Sequence, residues 1–198
     1  MRAVLVLLAA LALVGYHYLS TRAVAHGPGV LVPDDPRQSD PDSAAPISDK
    51  DFTLKPRARF AADARVLSLE HYRSGKLADI VPLDIAVGWG RMSDSDVLAK
   101  IQVTQGNRFY YWHYDDEPPI PREEIEEHSA NWHMVPANDA VWHTLSNVRV
   151  GQIVHLEGYL VDIDSAETGS IRTSLTRDDT GAGACEIIYV EAAGSRAN

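Results

Sequence analysis

Residues 151–164, GQIVHLEGYLVDID, constrain this chain more than any other stretch. Their β-branched and apolar content predicts one long strand from Gly151 to Asp164. Gly158 interrupts it. A glycine inside a strand gives no side chain to pack and marks a bulge or a tight bend. A long strand that bends in its middle belongs to a curved sheet.

The rest of the chain supplies partners for such a sheet. FAADARVLSLEHY predicts a strand over Phe60–Ser68, and RFYYWHY predicts an aromatic strand from Arg108 to Tyr114. IVPLDIAVGWG is apolar but contains Pro82, which places it at a sheet edge or in an extended segment. SIRTSLTR and CEIIYVE predict two more strands. The turn between them, DDTGAGA, is expected to hold Gly181 and Gly183 at positive φ.

Short helices fall between these strands. SDSDVLAK has Ser93 as N-cap with Asp96 three residues on. PPIPREEIEEHSA has Pro121 in its first turn, with Glu123 and Glu124 at its positive end. NDAVWHTLSNV has Asn138 as cap and Val141, Leu145 and Val148 on one face. Five or six strands, one bent by glycine, with short helices between them predict an α+β domain. Its expected form is a small, partly open β-barrel of the oligonucleotide/oligosaccharide-binding (OB-like) type.

The start of the chain differs in kind. Ala3 to Val14 is an apolar run of 12 residues, and the run extended to Leu19 is 17 residues. The shorter length suits a signal peptide. The longer suits a short membrane span with Tyr16 and Tyr18 at the interface. AVA, Ala23 to Ala25, has the small-x-small pattern of a cleavage site, although it lies beyond Arg22. Residues 1–22 are therefore expected to be a single-pass transmembrane anchor or a signal segment. The remainder is expected on the exported side, periplasmic or extracellular. Residues 23–57 carry Pro28, Pro33, Pro36, Pro41 and Pro46 among Asp34, Asp35, Asp40, Asp42 and Asp49, and read as a flexible tether. GVLV, Gly29 to Val32, is its one apolar stretch able to dock. The globular domain is expected over 58–192, with a disordered tail at 193–198.

Charge narrows the partners. Without Arg2 and Arg22, 16 basic residues face 28 acidic ones, a net charge of −12. Binding by counterion release needs clustered Lys and Arg. None are clustered here, so nucleic acid is not an expected partner. The membrane, an envelope protein and a cell-wall saccharide or peptide are.

Candidate ligand-binding residues are Tyr110, Trp112 and Tyr114, which share one face of the aromatic strand, together with His128 and His133. Phe109, Tyr111 and His113 form the other face. His113, His128, His133 and His143 lie close in sequence to Glu123, Glu124, Glu126 and Glu127, a composition zinc sites use. The spacing is wrong for a zinc signature, so no metal and no cofactor is expected. TGAGA is similar to a phosphate-cradling loop, but it lacks the lysine and leads into a strand. Cys185, the single cysteine, has Ala184 and Glu186 beside it and reads as a small buried hydrophobe. No catalytic set is evident. The expected function is a membrane-anchored envelope binding or assembly module. The alternative is an exported enzyme using a His/Glu metal site, or a Cys–His pair in which His143 or His155 approaches Cys185.

VGWGRMSD, QGNRFYYWHY, PPIPREEIEEHSANWHMVPA, VGQIVHLEGYLVD and SLTRDDTGAGACEIIYVE together resemble a family of uncharacterised bacterial proteins. Its members have an N-terminal membrane segment and an exported single domain. The resemblance covers most of Phe60 to Glu191, and HGPGVLVPDDP also fits it. It implies a membrane-anchored, exported domain and carries over no catalytic residue.

Overall fold

The computed structural model describes residues 22–196, apart from 177–180 and 182. The expected anchor or signal segment, except Arg22, lies outside them. Among the described residues no helix is long and apolar enough to cross a membrane.

The chain is strand-dominated α+β. Two short strands, β1 (Arg37–Ser39) and β2 (Ile47–Asp49), precede β3 (Phe52–His71), which is 20 residues long. Then come β4 (Leu83–Gly88), α1 (Ser95–Leu98), β5 (Gln102–Gly106), β6 (Phe109–His113) and α2 (Arg122–Glu127). They are followed by β7 (Ser129–Pro136), α3 (Asp139–Ser146), β8 (Ile153–Ser165), β9 (Gly169–Ile171) and β10 (Glu186–Arg196).

Five of these strands form a closed ring. Residues 65–71 of β3 pair antiparallel with β4, and β4 pairs with β7. β7 runs parallel to β10, and β10 pairs antiparallel with β8. The ring closes where β8 pairs back onto residues 52–65 of β3. The strand alternation fills its interior: Phe60, Leu83, Ile85, Trp132, Leu156, Leu160 and Ile188 form one buried cluster. Each such side chain contributes about 1.5–3 kcal/mol on burial. Val141, Leu145 and Val148 join this cluster from α3 and the residues after it, on the face their spacing predicts. Asn138 caps α3 as expected, its side chain accepting from Val141 N at 3.0 Å.

Gly158 is where the ring bends. The β10–β8 register shifts between Val190 and Ala192, a bulge directly beside the Gly158–Val190 pair. A Cβ at Gly158 would overlap the Tyr189 carbonyl oxygen. Only glycine allows this close approach of two backbones.

Several expectations change. The strand with Pro82 is not at an edge: β4 lies between β3 and β7. Pro82 sits just before Leu83, so the strand loses no ladder bond. β3 begins at Phe52 rather than near 60, and its register shift between Pro56 and Ala58 accommodates the proline. SIRTSLTR yields only the three-residue β9. Residues 193–196, expected in a disordered tail, continue β10 and pair with residues 153–156 of β8.

The stretch expected to be a tether lies along the domain instead. Val24 N donates to Val150 O at 2.8 Å, and His26 Nε2 lies 2.7 Å from Gly151 O. Leu31 N and Val32 N both donate to Ser93 Oγ at 3.0 Å, and Gly90 N donates to Val32 O at 2.8 Å. Val32 is fully covered. Ser93 is thereby taken from its expected capping role, and Asp94 caps α1 by accepting from Asp96 N. Ser93 is itself buried, and its hydroxyl donates to Gly90 O at 2.7 Å. Ser93→Ala leaves two backbone donors without their acceptor, so it is expected to cost about 2–4 kcal/mol. Urea unfolding measures this, and a loss below about 1 kcal/mol contradicts the clasp.

Candidate functional site

The site is built outside the ring, where the β5–β6 hairpin covers the outward face of β4 and β7. Asn107 and Arg108 join the two strands with φ of 54° and 70°. Two consecutive left-handed residues make the hairpin turn whose twist matches its strands. Arg108 holds this costly conformation through several contacts. Its N–H donates to the Tyr72 hydroxyl at 3.0 Å, and its guanidinium lies 3.5 Å from the Tyr72 ring centre. Its Nη1 donates to Val81 O and to Asp84 Oδ1, both at 2.9 Å.

Under the hairpin lies a layer of buried polar groups. Asp84, paired across the ladder with His133, is 1% exposed. His133 Nδ1 lies 2.8 Å from Asp84 Oδ1, within ion-pair distance but off the line of a good hydrogen bond. Asp84 Oδ2 has no hydrogen-bond partner among the described residues. Gln105 donates to Asn131 Oδ1 at 2.7 Å, and Asn131 Nδ2 donates to Arg108 O at 3.0 Å. Cys185 closes the layer. Its Sγ lies 4.0 Å from Asn131 Nδ2 and 3.9 Å from Arg108 O, and the β7–β10 register puts it on the same outward side as His133. Burial alone lowers the His133 pKa. Asp84 and Cys185 more than offset this and lift it to about 9.

A cleft of about 280 Å³ opens where β7 and β10 begin. Trp89, Tyr110, Trp112, Arg122, Glu126 and Cys185 are among its lining residues. The alternation of β6 is as expected. Tyr110 and Trp112 are half-buried against the body, whereas Phe109 and Tyr111 are exposed and also line the cleft. Desolvation pushes the Tyr110 phenol up to about 12, and its hydroxyl donates to Ser129 O at 3.2 Å. The Arg122 guanidinium lies 5.5 Å from the Trp112 ring centre, and Nε donates to Glu126 at 2.8 Å. Trp89 is buried, and its Nε1 has no acceptor among the described residues.

The predicted site residues therefore separate. Tyr110 and Trp112 line the cleft. Tyr114 stacks on Trp112, with ring centres 6.0 Å apart, in the small cluster of Met92, Ile101, Ile120 and Ile125. His128 is not part of the lining: its Nδ1 lies 3.1 Å from Glu124 O and its ring 6.3 Å from Trp89. His133 lies in the polar layer beside Asp84 and is not part of the cleft lining. Among the described residues no group of three or more His, Cys, Asp or Glu could hold a metal ion. His155 is held on the surface by Asp63 and Glu157, at 3.0 and 3.2 Å, so it does not serve Cys185. Cys185 itself is half-buried among polar groups, not in an apolar core. The histidine on the same outward side is His133. Sequence reasoning missed Asp84, Arg108 and Asn131. The available signal was a lone carboxylate inside apolar PLDIAV, which a buried site must pair. Gly181 and Gly183 do take positive φ, 87° and 96°. No protein-family model, curated protein or solved structure matches the chain.

Proposed function

We propose that this chain is a membrane-anchored, envelope-facing binding module whose ligand site is the aromatic cleft. On this reading the ring of β3, β4, β7, β10 and β8 is a small OB-like barrel. The parallel β7–β10 pair and the helix between β7 and β8 support it. Barrels of that type bind oligosaccharides or oligonucleotides on the face of their second and third strands. Those strands would be β4 and β7, and the cleft lies at the start of β7. The observation that carries the proposal is the set of aromatic rings on this one opening: Trp89, Phe109, Tyr110, Tyr111 and Trp112. Exposed aromatic area on a globular domain marks interaction. The net charge disfavours nucleic acid, so the ligand is a cell-wall saccharide or peptide.

The test is tryptophan fluorescence of the exported part, residues 23–198, titrated with soluble cell-wall fragments. Sugar-only and peptide-only fragments are run separately. A saturable change is expected with one of them, and Trp112→Ala should weaken it roughly 5- to 100-fold, the worth of one stacking contact. No saturable change with either overturns the proposal.

A further inference from the structure

We propose that Cys185, His133 and Asp84 form a nucleophilic thiol site on the inner wall of the cleft, acting on the acyl group of an ester or amide. The inference deepens the binding proposal, because the same cleft would hold the acyl ligand. It is tested with small reagents that do not need that ligand.

Topology brings the three residues together. Parallel pairing sets Glu186 opposite Trp132 and Ile187 opposite His133, which puts Cys185 level with Asn131. Ile188 and Val190 point into the ring, so Ile187 and Cys185 share the outward side with Asn131 and His133. Antiparallel pairing puts Asp84 across from His133. The order is thiol, imidazole, carboxylate, the arrangement in which a base next to a nucleophile is itself oriented by a third group. With Nδ1 facing Asp84 at 2.8 Å, Nε2 is the nitrogen left for the thiol.

Two further observations point to a ligand. Cys185 lines the cleft whereas His133 does not, so a substrate reaches the sulfur while the base stays shielded behind it. Trp89 lines the same cleft, and its buried indole N–H has no acceptor among the described residues. Arg108 and His133 both face the buried Asp84 carboxylate, at 2.9 and 2.8 Å, which fixes the side of the imidazole turned toward it.

The step needs no oxidant or reductant. The thiol proton passes to His133, and Sγ bonds to the carbonyl carbon. The C–O or C–N bond breaks, and the leaving alcohol or amine takes the proton from His133. Water then hydrolyses the thioester, releasing the carboxylic acid and restoring the thiol. Asp84 touches no reacting atom and is a positioning residue.

The experiment compares alkylation of Cys185 by iodoacetamide at pH 7 in the native protein and in urea. An unassisted thiol is only a few per cent ionised there, so the native rate is expected to be roughly tenfold or more above the unfolded rate. With p-nitrophenyl acetate, a burst of p-nitrophenol should leave one acetyl group, mapped to Cys185. Cys185→Ser should abolish the burst, and His133→Gln should slow acylation roughly 100-fold or more. Asp84→Asn should move the pH profile of alkylation, which a purely structural role leaves in place. The groups acting on His133 in that profile are Asp84 and Cys185, with Arg108 and Tyr72 reaching it through Asp84. A native rate no faster than the unfolded one, or acetylation elsewhere, overturns the proposal, and this comparison needs no variant to fold. Rapid thiol chemistry with no saccharide or peptide binding would leave the site standing and remove only the ligand assignment.

Discussion

Gly158→Ala is expected to remove about 3 kcal/mol or more of folding stability. Inserting even a methyl group into tight packing costs about 1–3 kcal/mol when a side chain can yield. Here the obstacle is backbone: the new Cβ would overlap the Tyr189 carbonyl and crowd the Glu191 amide, 3.1 Å away. Both belong to β10, whose ladder with β8 helps close the ring. Relief therefore means opening the seam at the bulge, not rotating a side chain. A whole domain is stable by only about 5–15 kcal/mol, so a large part of its stability is at stake. Urea unfolding followed by tryptophan fluorescence gives the number. A loss under about 1 kcal/mol means the bulge has slack that the packing does not show.

Asp84→Ala is expected to be at least as costly, about 3–5 kcal/mol, because it removes a buried carboxylate from two half-buried cations. Arg108 and His133 both face Asp84 Oδ1, and Arg108 also anchors the hairpin turn through Val81 O and Tyr72. The variant should lose the hairpin's closure together with its stability. It also carries a pH signature. The folded-state pKa of His133, about 9, lies above its ordinary value of 6.5. A raised folded pKa stabilises fully below the unfolded value and loses that contribution as pH rises through the folded one. Wild-type stability should therefore fall between about pH 6.5 and 9, by on the order of 2 kcal/mol from this group. In Asp84→Ala that fall should flatten, since its main attractive partner is gone. Denaturation midpoints at pH 6, 7.5 and 9 separate the two curves, and parallel curves would contradict the pairing.

Local chemistry was the legible part of this chain. Gly158 at the bend, Asn138 as a cap, the two faces of β6 and the positive-φ glycines of the last turn each follow from a residue and its immediate neighbours. What sequence reasoning missed is non-local. Pro56 looked like a linker residue because a proline inside a strand is unusual, and only the bulge on the partner ladder makes room for it. Ser93 looked like a helix cap because the segment that takes its hydroxyl lies about sixty residues earlier in the chain. Cys185 looked apolar because it stands at the head of a strand whose run, IIYV, is apolar. Its true surroundings come from β7 and the hairpin, which a parallel crossover and a two-residue turn bring against it. Asp84 was the nearest to a readable signal: a single carboxylate in an apolar strand must find a cation, although its neighbours do not say which.

The clasp of residues 24–32 on the domain changes how the protein would stand in an envelope. Val24 is bonded to Val150 and Val32 is buried, so residues 24–32 are held against the domain. On the proposed reading of residues 1–22 as an anchor, residues 24–32 would add little reach to the domain. The cleft would then sweep a thin shell close to the bilayer, and its targets would be molecules that come to that shell.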